Sequence, residues 1–194
     1  MWDPADFEYW YDRLPPGEQK RRAWDALTSD QRKLWNERWN FRNFAKVAPL
    51  DIDPRTIENC RSPEADMLCR ISGKPHYFEL GEVTDERLAR RASIAAKQGK
   101  DTFGGPFLQL EPLCRIYEQK CSKAYETHGH DLHLLLYYST DHQVPYTDGV
   151  RTEISKQRDE IKQKLRHSPF SIAWLYDGWG DAIIDCVSTD PLSA

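Results

Sequence analysis

The hydrophobic positions of the chain follow two periods, and the change between them divides the sequence. In residues 1–46 they recur every three or four residues, which is the spacing of one helix face. The main members of these stripes are Phe7, Trp10, Tyr11, Leu14, Trp35 and Trp39, and Arg42 continues the spacing of the last two. Asp3-Pro4 and Thr28-Ser29 provide helix starts, and Pro15-Pro16-Gly17 separates the helices. The pattern predicts a helical N-terminal arm in which the Trp side chains pack helices together.

Strand character appears after this arm. Residues 47–61 contain two prolines and no strong period, which predicts a loop. Residues 65–71 and 76–83 are rich in strand-forming side chains. Between them, Ser72-Gly73-Lys74-Pro75 supplies turn residues, so the two segments are predicted to form a hairpin.

Helices and apolar strands alternate in the rest of the chain. Amphipathic spacing predicts helices over residues 84–99, 108–127 and 150–165. The nearly unbroken apolar run at residues 132–138 predicts a strand covered on both faces. Two closing strands are predicted at residues 172–176 and 183–187. We therefore expect an α/β domain over residues 47–194, with a mixed central sheet flanked by helices, that forms one compact unit with the arm.

Composition narrows the functional classes. No run approaches the roughly 18 apolar residues that a membrane-spanning helix needs, and the N-terminus lacks the pattern of a secretion signal. Five cysteines without a CxxC pair favour reduced thiols and a cytoplasmic protein. The net charge of −4 argues against nucleic-acid binding by the whole surface, although a local basic patch remains compatible with it.

Four carboxylates, Glu64, Asp66, Glu79 and Glu82, lie on the two predicted hairpin segments. Alternation along a strand places Glu64 and Asp66 on one face, and the returning strand brings Glu79 beside them. Converging carboxylates repel one another unless a cation or a proton relieves the repulsion. Carboxylate oxygens are preferred ligands of Mg²⁺, with Mn²⁺ as the alternative ion, and phosphodiester hydrolysis is a natural reaction for such a site.

The segment Pro63-Glu64-Ala65-Asp66, followed by Glu79 thirteen positions after Asp66, resembles the PD-(D/E)XK nuclease superfamily. The resemblance implies a restriction-endonuclease-like core of one helix, three strands, a helix and a strand over roughly residues 35–138. It also implies that Asp66 and Glu79 bind the metal, with the backbone carbonyl of Leu80 as a third ligand. The expected activity is metal-dependent hydrolysis of nucleic acid, either DNA or RNA.

This chain has Gly81 where the family has its lysine. Because some members of the family carry the basic residue on the following helix, Lys97 is expected to replace it as a catalytic residue. Glu64 and Glu82 are expected to assist at the metal, Glu82 through a bulge that Gly81 permits. The basic residues expected to bind nucleic acid are Arg87, Arg90, Arg91 and Lys100.

Two alternatives remain open. Since Gly81 removes the expected lysine, the chain would in the first be an inactive nuclease-fold module for binding or assembly, with the Trp-rich arm forming a homodimer contact. In the second, His128, His130 and His133 would hold zinc in a hydrolase, because the segment superficially resembles the HxHxDH motif of metallo-β-lactamase-like enzymes. Neither alternative requires a membrane.

Overall fold

The computed structural model describes residues 4–83, 94, 111–138, 161–178 and 182–188. The helices and strands are numbered below in chain order. Almost all of the helix predicted at residues 84–99 lies outside the described residues, as does most of the helix predicted at residues 150–165. None of the helices among the described residues is long and apolar enough to cross a membrane.

Six strands form one open sheet in the order in which they occur in the chain. They are β1 (Ile52–Asn59), β2 (Met67–Ile71), β3 (Lys74–Glu82), β4 (Asp131–Tyr138), β5 (Ile172–Asp177) and β6 (Ala182–Ser188). β4 runs parallel to both β3 and β5, while the remaining pairs are antiparallel. The α/β class, the mixed sheet and the burial of the apolar fourth strand are thereby confirmed.

The predicted hairpin is formed by β2 and β3. Its two turn residues, Ser72 and Gly73, have φ values of 48° and 81°, which is the backbone that a two-residue turn between twisted strands requires. Met67 pairs with Phe78 at the open end of the hairpin. This register decides which side chains meet beyond the last pair.

The loop predicted at residues 47–61 is wrong, because this segment contains β1. The strand lies at the edge of the sheet and its register shifts between Asp53 and Glu58. Pro54 lies within that irregular stretch, where a missing N–H removes no regular ladder bond. Buried Ile57 anchors the strand to the core.

Three helices precede the sheet: α1 (Pro4–Tyr11), α2 (Glu18–Asp25) and α3 (Ser29–Val47). α3 begins at a capping box in which Thr28 and Gln31 exchange hydrogen bonds, as the predicted start implies. Trp35 contacts Tyr11 of α1 and Trp24 of α2, so this side chain does pack helices together. Within α3 it stacks on Trp39, with ring centroids 5.4 Å apart.

The sheet has a separate apolar core on each face. On one face, Phe41 and Phe44 of α3 pack against Phe78, Trp174 and other buried side chains. On the other face lies α4 (Glu111–Cys121), which is shorter than the helix predicted over residues 108–127. α3 and α4 therefore cover opposite faces of the sheet.

His133 lies in the core on the α3 face and is 3% exposed. The indole N–H of Trp174 donates to its Nδ1 at 3.3 Å, and its Nε2 lies 3.3 Å from Nδ1 of His76. Burial, followed by the proximity of His76, lowers the pKa of His133 to about 3. The fold therefore holds this imidazole in its neutral form.

We predict that His133 makes the fold sensitive to acid. Between pH 6.5 and about 3 the unfolded chain protonates this side chain and the folded chain does not, so stability falls as the pH falls. Chemical denaturation of His133→Phe should show a pH slope in this window shallower than that of the wild type, by up to roughly 1.4 kcal/mol per pH unit. Replacement of exposed His167 by Gln serves as the control, and equal slopes in all three proteins would contradict the prediction.

Candidate active site

Asp66 and Glu79 lie side by side at the open end of the hairpin. One step beyond the pair Met67 and Phe78, the antiparallel register sets Asp66 opposite Glu79 on the same face. The backbone N–H of Leu80 donates to Asp66 Oδ2 at 2.8 Å, which fixes the Asp66 carboxylate against β3. The structure thus brings together the two acids that the sequence singles out.

Lys120, near the end of α4, links these two carboxylates. Its Nζ lies 2.6 Å from Glu79 Oε1 and 3.7 Å from Asp66 Oδ2. Glu79 is 2% exposed, and Lys123 provides a second ammonium 3.2 Å from the same oxygen. A buried carboxylate is stable only with such partners, so the two lysines make the position of Glu79 tenable.

Gly81 explains how Lys120 reaches this point. A Cβ at Gly81 would lie 2.8 Å from Leu136 Cδ2 and 2.9 Å from Ile116 Cγ2, so a side chain there would collide with buried apolar groups. The same Cβ position is 3.7 Å from Cε of Lys120. The side chain of Lys120 therefore passes beside the space left by the glycine and delivers its ammonium from the helix.

Glu37 of α3 contributes a third carboxylate that sequence reasoning missed. Burial, followed by the charge of Asp66, raises its pKa to about 7, although Lys33 Nζ lies 3.5 Å away. Glu37 shares a helix face with Phe41 and Phe44, four and seven positions later, and both are fully buried. The sequence did contain a signal for this residue, because Glu37 is an acid on an otherwise apolar helix face.

A cavity of about 310 Å³ joins these groups. Its lining includes the buried acids Glu37 and Glu79, the partly exposed Asp66, and the exposed cations Lys33, Arg61 and Lys123. Leu34, Pro63 and Tyr125 add apolar surface, and the Tyr125 hydroxyl donates to the Lys120 carbonyl at 2.9 Å. The cavity is bordered by α3, by the loop that precedes β2 and by the segment that follows α4.

The other predicted site residues fall in different places. Glu64 lines the cavity, with its Oε1 3.3 Å from Nε2 of His128. Glu82 is exposed and, by strand alternation, lies on the opposite face from Glu79. β3 continues in regular register with β4 through the pair Glu82 and Tyr137, so the predicted bulge is wrong. The residues that lie outside the described part of the chain are Arg87, Arg90, Arg91, Lys97 and Lys100.

The three histidines of the zinc alternative do not converge. His133 contacts His76 and Trp174 in the core beneath α3. His128 is near Glu64, and His130 stacks on Tyr77, which belongs to the core on the other face. Within residues 4–83, 111–138, 161–178 and 182–188, no three His, Cys, Asp or Glu side chains are grouped so that they alone would hold a metal ion.

Removal of Lys120 should leave buried charge unpaired. We predict that Lys120→Gln lowers the free energy of unfolding by about 2–4 kcal/mol, at the lower end if Lys123 compensates. Lys120→Gln/Glu79→Gln should lose less than the sum of the single variants, because neither charge is then stranded. Urea denaturation provides the measurement.

The matched control for this cycle is the exposed pair Lys164 and Glu118, whose atoms are 2.7 Å apart. Its disruption by Lys164→Gln should cost no more than about 1 kcal/mol. Additive effects of the Lys120 and Glu79 substitutions would refute a coupled pair.

Glu37 should weaken the fold as the pH rises. Its folded pKa of about 7 exceeds the ordinary value of 4.5, so its stabilising contribution is complete below pH 4.5 and is lost as the pH passes 7. Relative to the wild type, Glu37→Gln should gain on the order of 2 kcal/mol of stability between pH 4.5 and 8. Chemical denaturation at both pH values tests this gain. The control variant Glu18→Gln, on exposed α2, should show no such gain. A stability difference between Glu37→Gln and the wild type that does not change with pH would refute the assignment.

The site holds the Lys120 ammonium at its paired carboxylates, contains in Glu37 an acid whose pKa is near neutral, and presents the exposed ammonium groups of Lys33 and Lys123. These are properties of the described residues themselves. Comparison of the chain with family models, with curated proteins and with solved structures found no match.

Proposed function

We propose that this chain is a metal-dependent nuclease of the PD-(D/E)XK type that hydrolyses phosphodiester bonds in nucleic acid. The observation that carries the proposal is the meeting of Asp66, Glu79 and Lys120 at the open end of the hairpin. Among the described elements, the order α3, β1, β2, β3, α4, β4 also supports it, because the family core runs helix, three strands, helix, strand. Lys120 takes the role expected of Lys97.

The donor set at this site fits Mg²⁺ or Mn²⁺. Asp66 and Glu79 would hold the ion, with the carbonyl of Leu80 as a further ligand, and sites with one or two carboxylates completed by water and phosphate oxygens are common for Mg²⁺. When bound, the metal supplies polarisation of the phosphoryl oxygen and a more acidic attacking water. Without it, the ammonium of Lys120 balances the charge of the same carboxylates.

The chain's own residues supply the rest of the reaction. The ammonium groups of Lys120 and Lys123 both contact Glu79, where they stabilise the negative charge that develops on the phosphoryl group. Glu37, whose pKa is about 7, exchanges a proton with water at neutral pH. One bond forms between a water oxygen and phosphorus as the ester bond breaks; the proton lost by the attacking water passes to Glu37, and the leaving oxygen takes a proton from bulk water.

We predict that Asp66→Asn abolishes Mg²⁺-dependent cleavage of labelled DNA and RNA oligonucleotides while preserving the thermal transition. Lys120→Met should lower the cleavage rate at least 100-fold, the scale of losing one positioned electrostatic group. Lys97→Met should retain most of the activity if Lys120 is the active lysine. Asp53→Asn, on edge strand β1, provides the control for a lost surface carboxylate.

Undiminished cleavage by Asp66→Asn would refute the proposal. If the wild type cleaves neither polymer and calorimetry detects no Mg²⁺ binding, the inactive binding or assembly module becomes the better assignment. Gel filtration would then test the arm, since a homodimer held by Trp35 and Trp39 should become smaller when these residues are replaced.

A further inference from the structure

Charge in the cavity is arranged in two zones. The side chains of Glu79 and Glu37 are 3% and 9% exposed, and those of the other two acids in the lining, Asp66 and Glu64, are 21% and 33% exposed. The cations at the mouth are open to solvent: the side chains of Lys33 and Lys123 are 71% and 53% exposed, and Arg61 is also exposed. An anionic polymer therefore meets positive charge before it reaches the carboxylates, and this order favours phosphate contacts at the rim.

The three rim cations come from three different parts of the fold. Lys33 lies on α3, Arg61 on the loop before β2, and Lys123 just after α4. They are thus distributed around the mouth and do not form a flat patch. Phosphates that flank a central one can contact them while the central phosphate enters the cavity.

The size of the cavity limits what can enter. About 310 Å³ is at the small end of ligand sites and offers space on the scale of one nucleotide. Double-stranded DNA is stiff, with a persistence length of about 50 nm. It therefore does not bend sharply enough for one phosphate to enter the cavity without the paired strand colliding with the cavity walls. A single strand bends at each nucleotide, and an unpaired base can lie against an aromatic ring such as that of Tyr125.

We propose that the cavity accepts a single-stranded polynucleotide, whose flanking phosphates contact Lys33, Arg61 and Lys123. The inference rests on the proposed nuclease function, because it deepens the assignment of that site. The strand is recognised by its charge and flexibility, so binding tolerates different base sequences. Paired duplex regions are bound weakly and are cleaved only where strands separate.

Fluorescence anisotropy with the full chain in EDTA tests this binding without cleavage. The probes are a labelled single-stranded DNA, the same sequence as RNA, and a blunt DNA duplex. We expect the single strands to bind at least tenfold more tightly than the duplex. Each of Lys33→Gln, Arg61→Gln and Lys123→Gln should reduce the slope of log K against log salt by about 0.7, the value for one lost phosphate contact.

Lys46→Gln, on the same helix as Lys33 but at its other end, should leave the slope unchanged. Arg61→Gln is the most direct variant, because Lys33 and Lys123 also pair with Glu37 and Glu79. Equal affinity for duplex and single strand, or unchanged slopes in all three rim variants, would overturn the inference. Failure of the nuclease proposal alone gives a different result. Single strands would then still bind through the three rim cations but would remain uncleaved in the presence of Mg²⁺.

Discussion

The burial of the Glu79 carboxylate is the constraint on which the candidate site depends. A charge that is 2% exposed needs compensation from inside the protein, and Lys120 and Lys123 provide it from the end of α4. The compensation requires the helix to lie close to β3. Gly81 allows this approach, because any side chain at that position would meet Leu136 and Ile116.

The same electrostatics links stability to the proposed chemistry. Burial, followed by the charge of Asp66, raises the pKa of Glu37 to about 7. Lys120 contacts both Asp66 and Glu79, and in the proposed reaction its ammonium would become available to the phosphate. The proposed reaction would then use charged groups that the fold already holds in place, which is how electrostatic preorganisation lowers a barrier.

The two cores position the two sides of the site. Phe41 and Phe44 fix α3 on one face of the sheet, and this places Glu37 at the end of β2. The core on the other face holds α4 and thereby Lys120. Substitutions in either core therefore act on the site through the placement of a helix, even where they contact none of its polar groups.

The sequence by itself determined the hairpin, the buried fourth strand and the meeting of Asp66 with Glu79, because short-range antiparallel pairing follows from turn residues and alternation. It did not reveal β1, whose prolines and weak period hide an edge strand. Only the tertiary structure brought Lys120 to the two carboxylates and Glu37 to the cavity. The physical reason is that helix packing against a sheet decides which residues distant in the chain become neighbours, and no local pattern encodes that orientation.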